Sequence, residues 1–320
     1  MAIANPGAPA DSCSPSRFTE EVMDDGWICS SMRRMVWLHL DGTIVNQKVI
    51  GLGSTGLVIE QGRWAIKIPY VSRGIIRGVD GLPDEVEPLT PEEGDYDDRI
   101  PLIEEIQCEK AIYRRLGNHH GIVRCHDLEL TDPSIRMDRM SGDLRHFLDE
   151  QKRPTRQTQL RWFVTLAHTM AYIHEHRIII ADVRLDNLLL DEHLAIKFCD
   201  FAGSTLMPLE WDLHGTDDFG CSILIDIGQF GAVMYQVITG QKCKFELGDK
   251  ESDILSTGPR REDLPSTEGV WLGHIIENCW TMSFKSSNEL AAALDQAKLP
   301  EEVQAPIPSQ SADNLLTLQP

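Results

Sequence analysis

The stretch GLGSTGLV, which begins at Gly51, places three glycines at the spacing G-x-G-x-x-G. A lysine, Lys67, follows eleven residues after the last of them, in the short apolar segment WAIKIP. In dinucleotide-binding folds a helix opens directly at such glycines, whereas here short apolar segments flank them on both sides. The pattern therefore predicts a glycine-rich turn between two strands, with Lys67 on the second of these strands.

The pattern of apolar residues changes near Gly142. Before it, short apolar segments separated by Gly and Asp turns predict antiparallel strands from Met35 to Pro69, and the stretch IEEIQCEKAIYRRLGNHHGIV predicts a helix that ends at Gly117. After it, apolar residues at helical spacing predict long buried helices. We therefore predict an α+β, bilobal fold, with a small antiparallel β-rich first lobe that carries one main helix and a larger, mainly α-helical second lobe.

The segments have predicted boundaries. Residues 1–16 and 299–320 are rich in Ala, Pro, Ser or Gln and are predicted to be disordered tails, with the first lobe at 17–140 and the second at 141–298. Within the first lobe, residues 72–99 are predicted to form a solvated loop, because nine acidic residues and no basic residue lie between Asp80 and Asp98. An acidic docking segment is the alternative interpretation of this loop.

Composition excludes several classes of function. The net charge of −20 disfavours nucleic acid and acidic membrane surfaces as partners, and no apolar run is long enough to cross a membrane. The eight cysteines form no C-x-x-C pair, which argues against a zinc site and a disulfide framework. We expect a soluble protein of the cytoplasm or nucleus. The histidines, His174 among them, have no metal-ligand spacing and are expected at the surface or in caps.

Three oxygen-bearing side chains in the second half suggest a cation and phosphate site. Asp182 and Asn187 stand five residues apart in IIIADVRLDNLLL, and Asp200 follows in IKFCDFAGS. Magnesium prefers oxygen ligands, and a carboxylate with an amide leaves coordination positions open for phosphate oxygens.

The order of these motifs resembles that of the eukaryotic protein kinase family over about residues 45–295. In its overall style it looks similar to the divergent single-domain kinases of filamentous fungi. The resemblance implies ATP and Mg²⁺ as ligands and a protein as substrate. It implies that the glycines cover the ATP phosphates, that Lys67 holds two of them, and that Glu109, or else Glu105, pairs with that lysine. The glycines concerned are Gly51, Gly53 and Gly56.

The resemblance also assigns roles around the expected cleft. Asp182 becomes the catalytic base and Arg184 a positive group beside it, while Asn187 and Asp200 become the magnesium ligands. Asp226 would anchor the catalytic loop. The resemblance implies that the adenine site has Met137 as gatekeeper and the hinge from Asp138 to Met140, and further nucleotide contacts fall on Val58 and Ala65.

Several positions depart from the family pattern. The usual H-R-D reads Ile180, Ala181, Asp182, so the arginine that pairs with a phosphorylated activation segment is missing. We therefore expect activity that does not depend on phosphorylation of Thr205 or Thr216. The usual D-F-G reads D-F-A, and no A-P-E sequence lies between Asp200 and Asp226. The arginine that usually pairs with the glutamate of A-P-E is also missing, and only Lys285 is available near its expected position. These two departures place peptide recognition in question more than ATP binding.

The sequence thus predicts a magnesium- and ATP-dependent kinase that phosphorylates serine or threonine hydroxyls of proteins. Two alternatives stay open: a non-catalytic, nucleotide-binding scaffold, and a small-molecule phosphotransferase of related fold. The physiological substrate and the oligomeric state do not follow from the sequence.

Overall fold

The computed structural model describes residues 35–53, 55–76, 85–86, 97, 99–150, 153–245 and 258–299. The predicted tail at 1–16 lies outside these residues, as does the tail predicted at 299–320 apart from Leu299. The same holds for 77–84, 87–96 and 98 of the predicted acidic loop.

The described part of the first lobe contains eight short strands and one long helix. Their bounds are β1 (Met35–Leu38), β2 (Val49–Leu52), β3 (Leu57–Gln61), β4 (Trp64–Ile68), β5 (Val71–Ile76), β6 (Glu85–Val86), α1 (Arg99–Leu116), β7 (Cys125–His126) and β8 (Ile135–Asp138). Five of the strands form the main antiparallel sheet in the order β2-β3-β4-β8-β7. The glycine-rich turn therefore lies between β2 and β3, and Lys67 lies on the central strand β4.

The prediction of a loop from residue 72 to residue 99 is wrong in part. Strand β5 pairs with β1 in the register Met35↔Gly74 to Leu38↔Val71, and β6 pairs with β5 to complete a second sheet. The apolar segment VSRGII ends four residues before the acidic run begins at Asp80, so the acidic charges do not prevent this pairing. The loop interpretation also fails at its end, because Arg99 already belongs to α1.

Helix α1 begins and ends at residues suited to those positions. The Asp97 carboxylate accepts a hydrogen bond from the Arg99 N–H at 3.0 Å, and Arg114 and Arg115 occupy the last turn, where the helix dipole favours positive charge. Gly117 then adopts a φ of 60° and donates its N–H to the Tyr113 carbonyl at 2.9 Å. The predicted end of the helix is confirmed, and the buried face of α1 packs toward the sheet.

The second lobe is mainly helical. Its elements are β9 (Gly142–Asp143), α2 (Leu144–Asp149), α3 (Arg156–Glu175), β10 (Ile178–Ile179), β11 (Leu188–Leu190), β12 (Ile196–Phe198), β13 (Thr205–Leu206), α4 (Ile223–Thr239), α5 (Gly273–Trp280) and α6 (Ser287–Asp295). Short 3-10 turns occur at Leu185–Asn187 and Arg261–Asp263. The predicted bilobal α+β organisation is confirmed.

The core explains how the lobes hold the cleft residues. One large apolar cluster runs from Ile106 and Met137 in the first lobe to Phe163 and Phe230 in the second. A smaller cluster occupies the other face of β3 and β4, because alternate residues of a strand point to opposite sides. No helix among the described residues is long and apolar enough to cross a membrane.

Candidate active site

Lys67 brings three separate parts of the chain together. Its ammonium donates to Glu109 Oε2 on α1 at 2.7 Å and to Asp200 Oδ1 beyond β12 at 2.7 Å. The side chains of Lys67 and Glu109 are 4% and 1% exposed, whereas that of Asp200 is 38% exposed. The cleft between the lobes therefore opens at Asp200.

Burial and pairing act in opposite directions on these groups. Burial disfavours the charged ammonium, but the carboxylates of Glu109 and Asp200 outweigh it, so the pKa of Lys67 lies above its usual value. Burial raises the pKa of Glu109, and the ammonium of Lys67 works against that rise. Glu109 Oε1 also accepts from the Phe201 N–H at 3.2 Å, so α1 is tied to the backbone next to Asp200.

The structure distinguishes between the two glutamates considered for this pairing. Glu109 contacts Lys67, whereas Glu105, one turn earlier, is exposed. Both residues lie on the same side of α1, because positions four apart are neighbours on a helix.

The loop that carries Asp182 is anchored from helix α4. Asp226 is fully buried; its Oδ2 accepts from the Ile180 N–H and its Oδ1 from the Ala181 N–H, each at 2.8 Å. Ala181 has a φ of 64°, a left-handed conformation that a non-glycine residue keeps only when its surroundings enforce it. Asp226 therefore lies where the sequence analysis placed the anchor of the catalytic loop.

Asp182 faces Asn187 across the same loop. Asn187 Nδ2 donates to the Asp182 carboxylate at 2.9 Å and to the Asp182 carbonyl at 3.0 Å, and Arg184 Nε lies 3.4 Å from Asp182 Oδ2. Burial raises the pKa of Asp182, and Arg184 and Asn187 oppose that rise. An amide and a guanidinium therefore flank the Asp182 carboxylate.

The residues present suit a magnesium ion that shares its coordination with phosphate. Strands β11 and β12 pair with Leu188 opposite Phe198, which brings Asn187 next to Cys199 and so close to Asp200. Because Asn187 Nδ2 is used by Asp182, its Oδ1 is the atom left to face a cation. Among the described residues, no group of three or more His, Cys, Asp or Glu side chains could hold a metal alone. A carboxylate and an amide oxygen together leave coordination positions of a magnesium ion open for phosphate oxygens.

The glycine-rich turn closes over these groups. Gly53 N–H donates to the Gly56 carbonyl at 2.9 Å, and a Cβ at Gly53 would lie 3.9 Å from Asp200 Oδ2. A Cβ at Gly56 would lie 2.9 Å from Lys67 Cγ and 3.1 Å from the Ile68 carbonyl oxygen. The turn can approach Lys67 this closely only because Gly56 has no side chain.

Gly56→Ala should lower the free energy of unfolding by about 1–3 kcal/mol, the usual effect of adding an atom to a packed site. The clashing Lys67 is fixed by two carboxylates, and the Ile68 carbonyl is backbone, so neither can move away freely. Urea unfolding measures the change.

Gly53→Ala is the matched control, because its new methyl group would make only ordinary contacts, at 3.5 Å and 3.9 Å. We expect it to stay within about 1 kcal/mol of the wild type. Equal losses in the two variants would contradict the argument from close approach.

The residues expected around an adenine base line the inner side of the main sheet. Ala65 and Met137 are directly paired between β4 and β8 and are both 6% exposed, and Val58 and Met140 pack partly buried against the same cluster. The expectation for the hinge needs one correction. The Asp138 N–H already donates to the Arg124 carbonyl at 2.9 Å, because β8 continues through Asp138, so this group is not available to a base.

Two contributors to the site carry no local sequence signal. The expectation that His174 lies at the surface or in a cap is wrong: it is 3% exposed and contacts Asp226 Oδ2 at 2.9 Å and the Ser287 hydroxyl at 2.8 Å. Tyr113 on α1 accepts the Asp200 N–H at 3.3 Å through its hydroxyl and packs edge-on against Phe201. Their partners are too distant in sequence for a local motif to reveal them.

Comparison with known proteins finds one matching family model. Residues 92–221 match the family model described as Protein kinase domain. This part of the chain is therefore similar to the eukaryotic protein kinase superfamily. The SNF1-like protein kinase ssp2 of Schizosaccharomyces pombe is 33% identical over 97 residues, which is 30% of this chain and 17% of that protein. The Carbon catabolite-derepressing protein kinase of Saccharomyces cerevisiae is 31% identical over 97 residues, 30% of this chain and 15% of the relative.

A third relative, the Serine/threonine-protein kinase polo of Drosophila melanogaster, is 30% identical over 149 residues, 42% of this chain and 26% of that protein. The aligned part of this chain thus spans about a quarter or less of the length of these relatives. The family match begins at residue 92, so the glycine-rich turn and Lys67 lie before it. The contacts of Lys67 with Glu109 and Asp200, together with the pairing of β4 with β8, join this part to the matched region.

The segment between Asp200 and Asp226 has its own internal support. Asp217 accepts from the N–H groups of Phe219 and Cys221 through Oδ1, and from the Thr205 hydroxyl at 2.6 Å through Oδ2. Arg115 on α1 donates to the Met207 carbonyl at 2.6 Å. A carboxylate and an arginine therefore fix this segment without a phosphate group. Lys285, the cation left by the missing ion pair, donates instead to the Met282 carbonyl at 2.9 Å.

Proposed function

We propose that this chain is an ATP- and magnesium-dependent protein kinase that transfers the γ-phosphoryl group to a serine or threonine hydroxyl. The observation that carries the proposal is the convergence of Lys67, Glu109 and Asp200 opposite the pair of Asp182 and Asn187. The relatives whose printed names include serine/threonine kinase support the choice of acceptor. The cysteines of the described residues form no disulfides with one another, as is usual in the cytoplasm or nucleus.

Each residue then has a physical task. Lys67, held in place by Glu109, offers its ammonium to the phosphates, while Asn187 and Asp200 would hold the cation. When bound, magnesium neutralises charge on the phosphate oxygens. Asp182 orients the acceptor hydroxyl and takes its proton as the oxygen attacks phosphorus and the bond to the β-phosphate oxygen breaks. Arg184, 58% exposed beside Asp182, can place positive charge near the transferred group.

The decisive experiment follows labelled γ-phosphate from Mg-ATP to the protein itself and to generic basic proteins. Asp182→Asn and Lys67→Met are the controls, and phosphosite mapping separates serine and threonine from tyrosine. Transfer that both controls abolish supports the proposal. Binding of Mg-ATP without transfer would point to a scaffold, and transfer only to small hydroxylated acceptors would point to a small-molecule kinase.

Phosphatase treatment of the purified kinase should change its transfer rate by no more than about threefold. The residue directly before Asp182 is Ala181, so no arginine stands there to pair with a phosphorylated segment. The Thr205 hydroxyl already donates to Asp217, so a phosphate there would meet a carboxylate. The initial rate is compared before and after treatment, with mass spectrometry to verify the removal of phosphate from Thr205 and Thr216. A loss of activity of tenfold or more that rephosphorylation restores would refute the expectation.

A further inference from the structure

Gln229 contacts the backbone on both sides of Asp182. Its Oε1 accepts from the Val183 N–H at 2.9 Å, and its Nε2 donates to the Ala181 carbonyl at 2.9 Å. Both polar ends of one carboxamide are thus used on the two residues that flank the proposed base. No other side-chain amide in the described part of the chain has hydrogen bonds to both neighbours of Asp182.

The position of Gln229 on α4 explains how it reaches this loop. It follows Asp226 by three residues, and positions three apart lie on the same face of a helix. The two side chains together engage the N–H groups of Ile180, Ala181 and Val183 and the carbonyl of Ala181. Asp226 holds only residues that precede Asp182. Of the two side chains, only Gln229 also holds the residue that follows Asp182.

The loop needs such support. Ala181 adopts a φ of 64°, a left-handed conformation that is unfavourable for a residue with a Cβ. Ile180 and Ala181 have no side-chain donors or acceptors with which to fix the loop. The orientation of the Asp182 carboxylate therefore depends on hydrogen bonds made to its neighbouring peptide groups as well as on its direct contacts with Asn187 and Arg184.

We propose that Gln229 is a positioning residue that fixes the orientation of Asp182 by holding the peptide groups on either side of it. The catalytic consequence rests on the proposed function. The carboxamide itself touches neither the acceptor hydroxyl nor the phosphates; it acts through Asp182. The wild-type geometry is lost if either of its two hydrogen bonds is removed.

Gln229→Met tests this inference, because methionine has nearly the same size and a similar helix propensity but neither a donor nor a comparable acceptor. We expect kcat to fall about 10- to 100-fold, the effect of misplacing a reacting group by a small distance. The KM for ATP and the Kd for Mg-ATP should stay within about twofold, since Lys67 and the glycine-rich turn are untouched. Gln236→Met, two turns further along α4, is the matched control and should leave kcat unchanged.

A double variant separates positioning from a general structural role. If Gln229 acts through Asp182, Gln229→Met should add no more than about twofold to the loss already caused by Asp182→Asn. A full multiplicative loss in the double variant would overturn the inference. So would a kcat within twofold of the wild type for Gln229→Met.

Amide hydrogen exchange gives a readout that needs no activity. Gln229→Met should speed exchange of the Val183 N–H by about tenfold or more, while Gln236→Met leaves it unchanged. Unchanged Val183 exchange in Gln229→Met would overturn the inference even in an active enzyme. If the wild type transfers no phosphate but the exchange changes as expected, the proposed function fails and the positioning of Asp182 by Gln229 stands.

Discussion

Lys67→Met should lower the free energy of unfolding by about 3–5 kcal/mol, the usual effect of removing one partner from a buried ion pair. Glu109 is 1% exposed, and without the ammonium its carboxylate would stay buried beside Asp200 with no positive partner of comparable proximity. In the proposed enzyme the same change removes the cation that holds the phosphates, so transfer should also be lost. Urea unfolding and the labelled-phosphate assay measure the two effects separately.

Two further variants identify the cause of the loss. Glu109→Gln combined with Lys67→Met removes the buried charge but keeps an oxygen for the Phe201 N–H, so about half or more of the lost stability should return without any transfer. Lys48→Met is the matched control, because Lys48 is 73% exposed and pairs with Glu60 at 3.0 Å. This change should lower the free energy of unfolding by less than about 1 kcal/mol. Equal midpoints for Lys67→Met and Lys48→Met would contradict the argument.

The residues around Lys67 show how far sequence reasoning reaches. The sequence predicts an ion pair from the glycine spacing, a strand lysine and a helix with two candidate glutamates. It does not show which glutamate pairs with Lys67. Glu105 and Glu109 lie one turn apart on the same side of α1, and only the depth at which the helix packs decides between them. That depth depends on the entire core cluster, which no local pattern contains.

The residues that sequence reasoning missed are those whose partners are remote in the chain. His174 meets Asp226 and Ser287, 52 and 113 positions away, and its polar character alone favours a surface position. Strand β5 lies next to the acidic run, whose composition favours a loop. Its partner β1 lies more than thirty residues earlier in the chain, so no local pattern indicates the pairing. Local motifs therefore predict which side chains meet at this site better than they predict the residues that support them.

Asp226→Ala should have the other large effect, a loss of about 3–5 kcal/mol in the free energy of unfolding, since each buried donor left without an acceptor costs about 1–3 kcal/mol. The N–H groups of Ile180 and Ala181 and the ring of His174 would all lose their partner at once. The left-handed conformation of Ala181 would lose the contact that enforces it. The midpoint of urea unfolding, followed by far-UV circular dichroism, measures the change.

Asp295→Asn is the control for this change, because Asp295 lies at the surface and its contact with His168 is exposed, so it should shift stability by less than about 0.5 kcal/mol. The loss of unfolding free energy for Asp226→Asn should fall between those of Asp226→Ala and Asp295→Asn. The amide keeps one oxygen for one backbone N–H but turns its NH₂ toward the other backbone N–H. If Asp226→Ala unfolds at the same urea concentration as Asp295→Asn, the loop does not depend on α4. The orientation of Asp182 would then have to be set from within the loop, by Asn187 and Arg184.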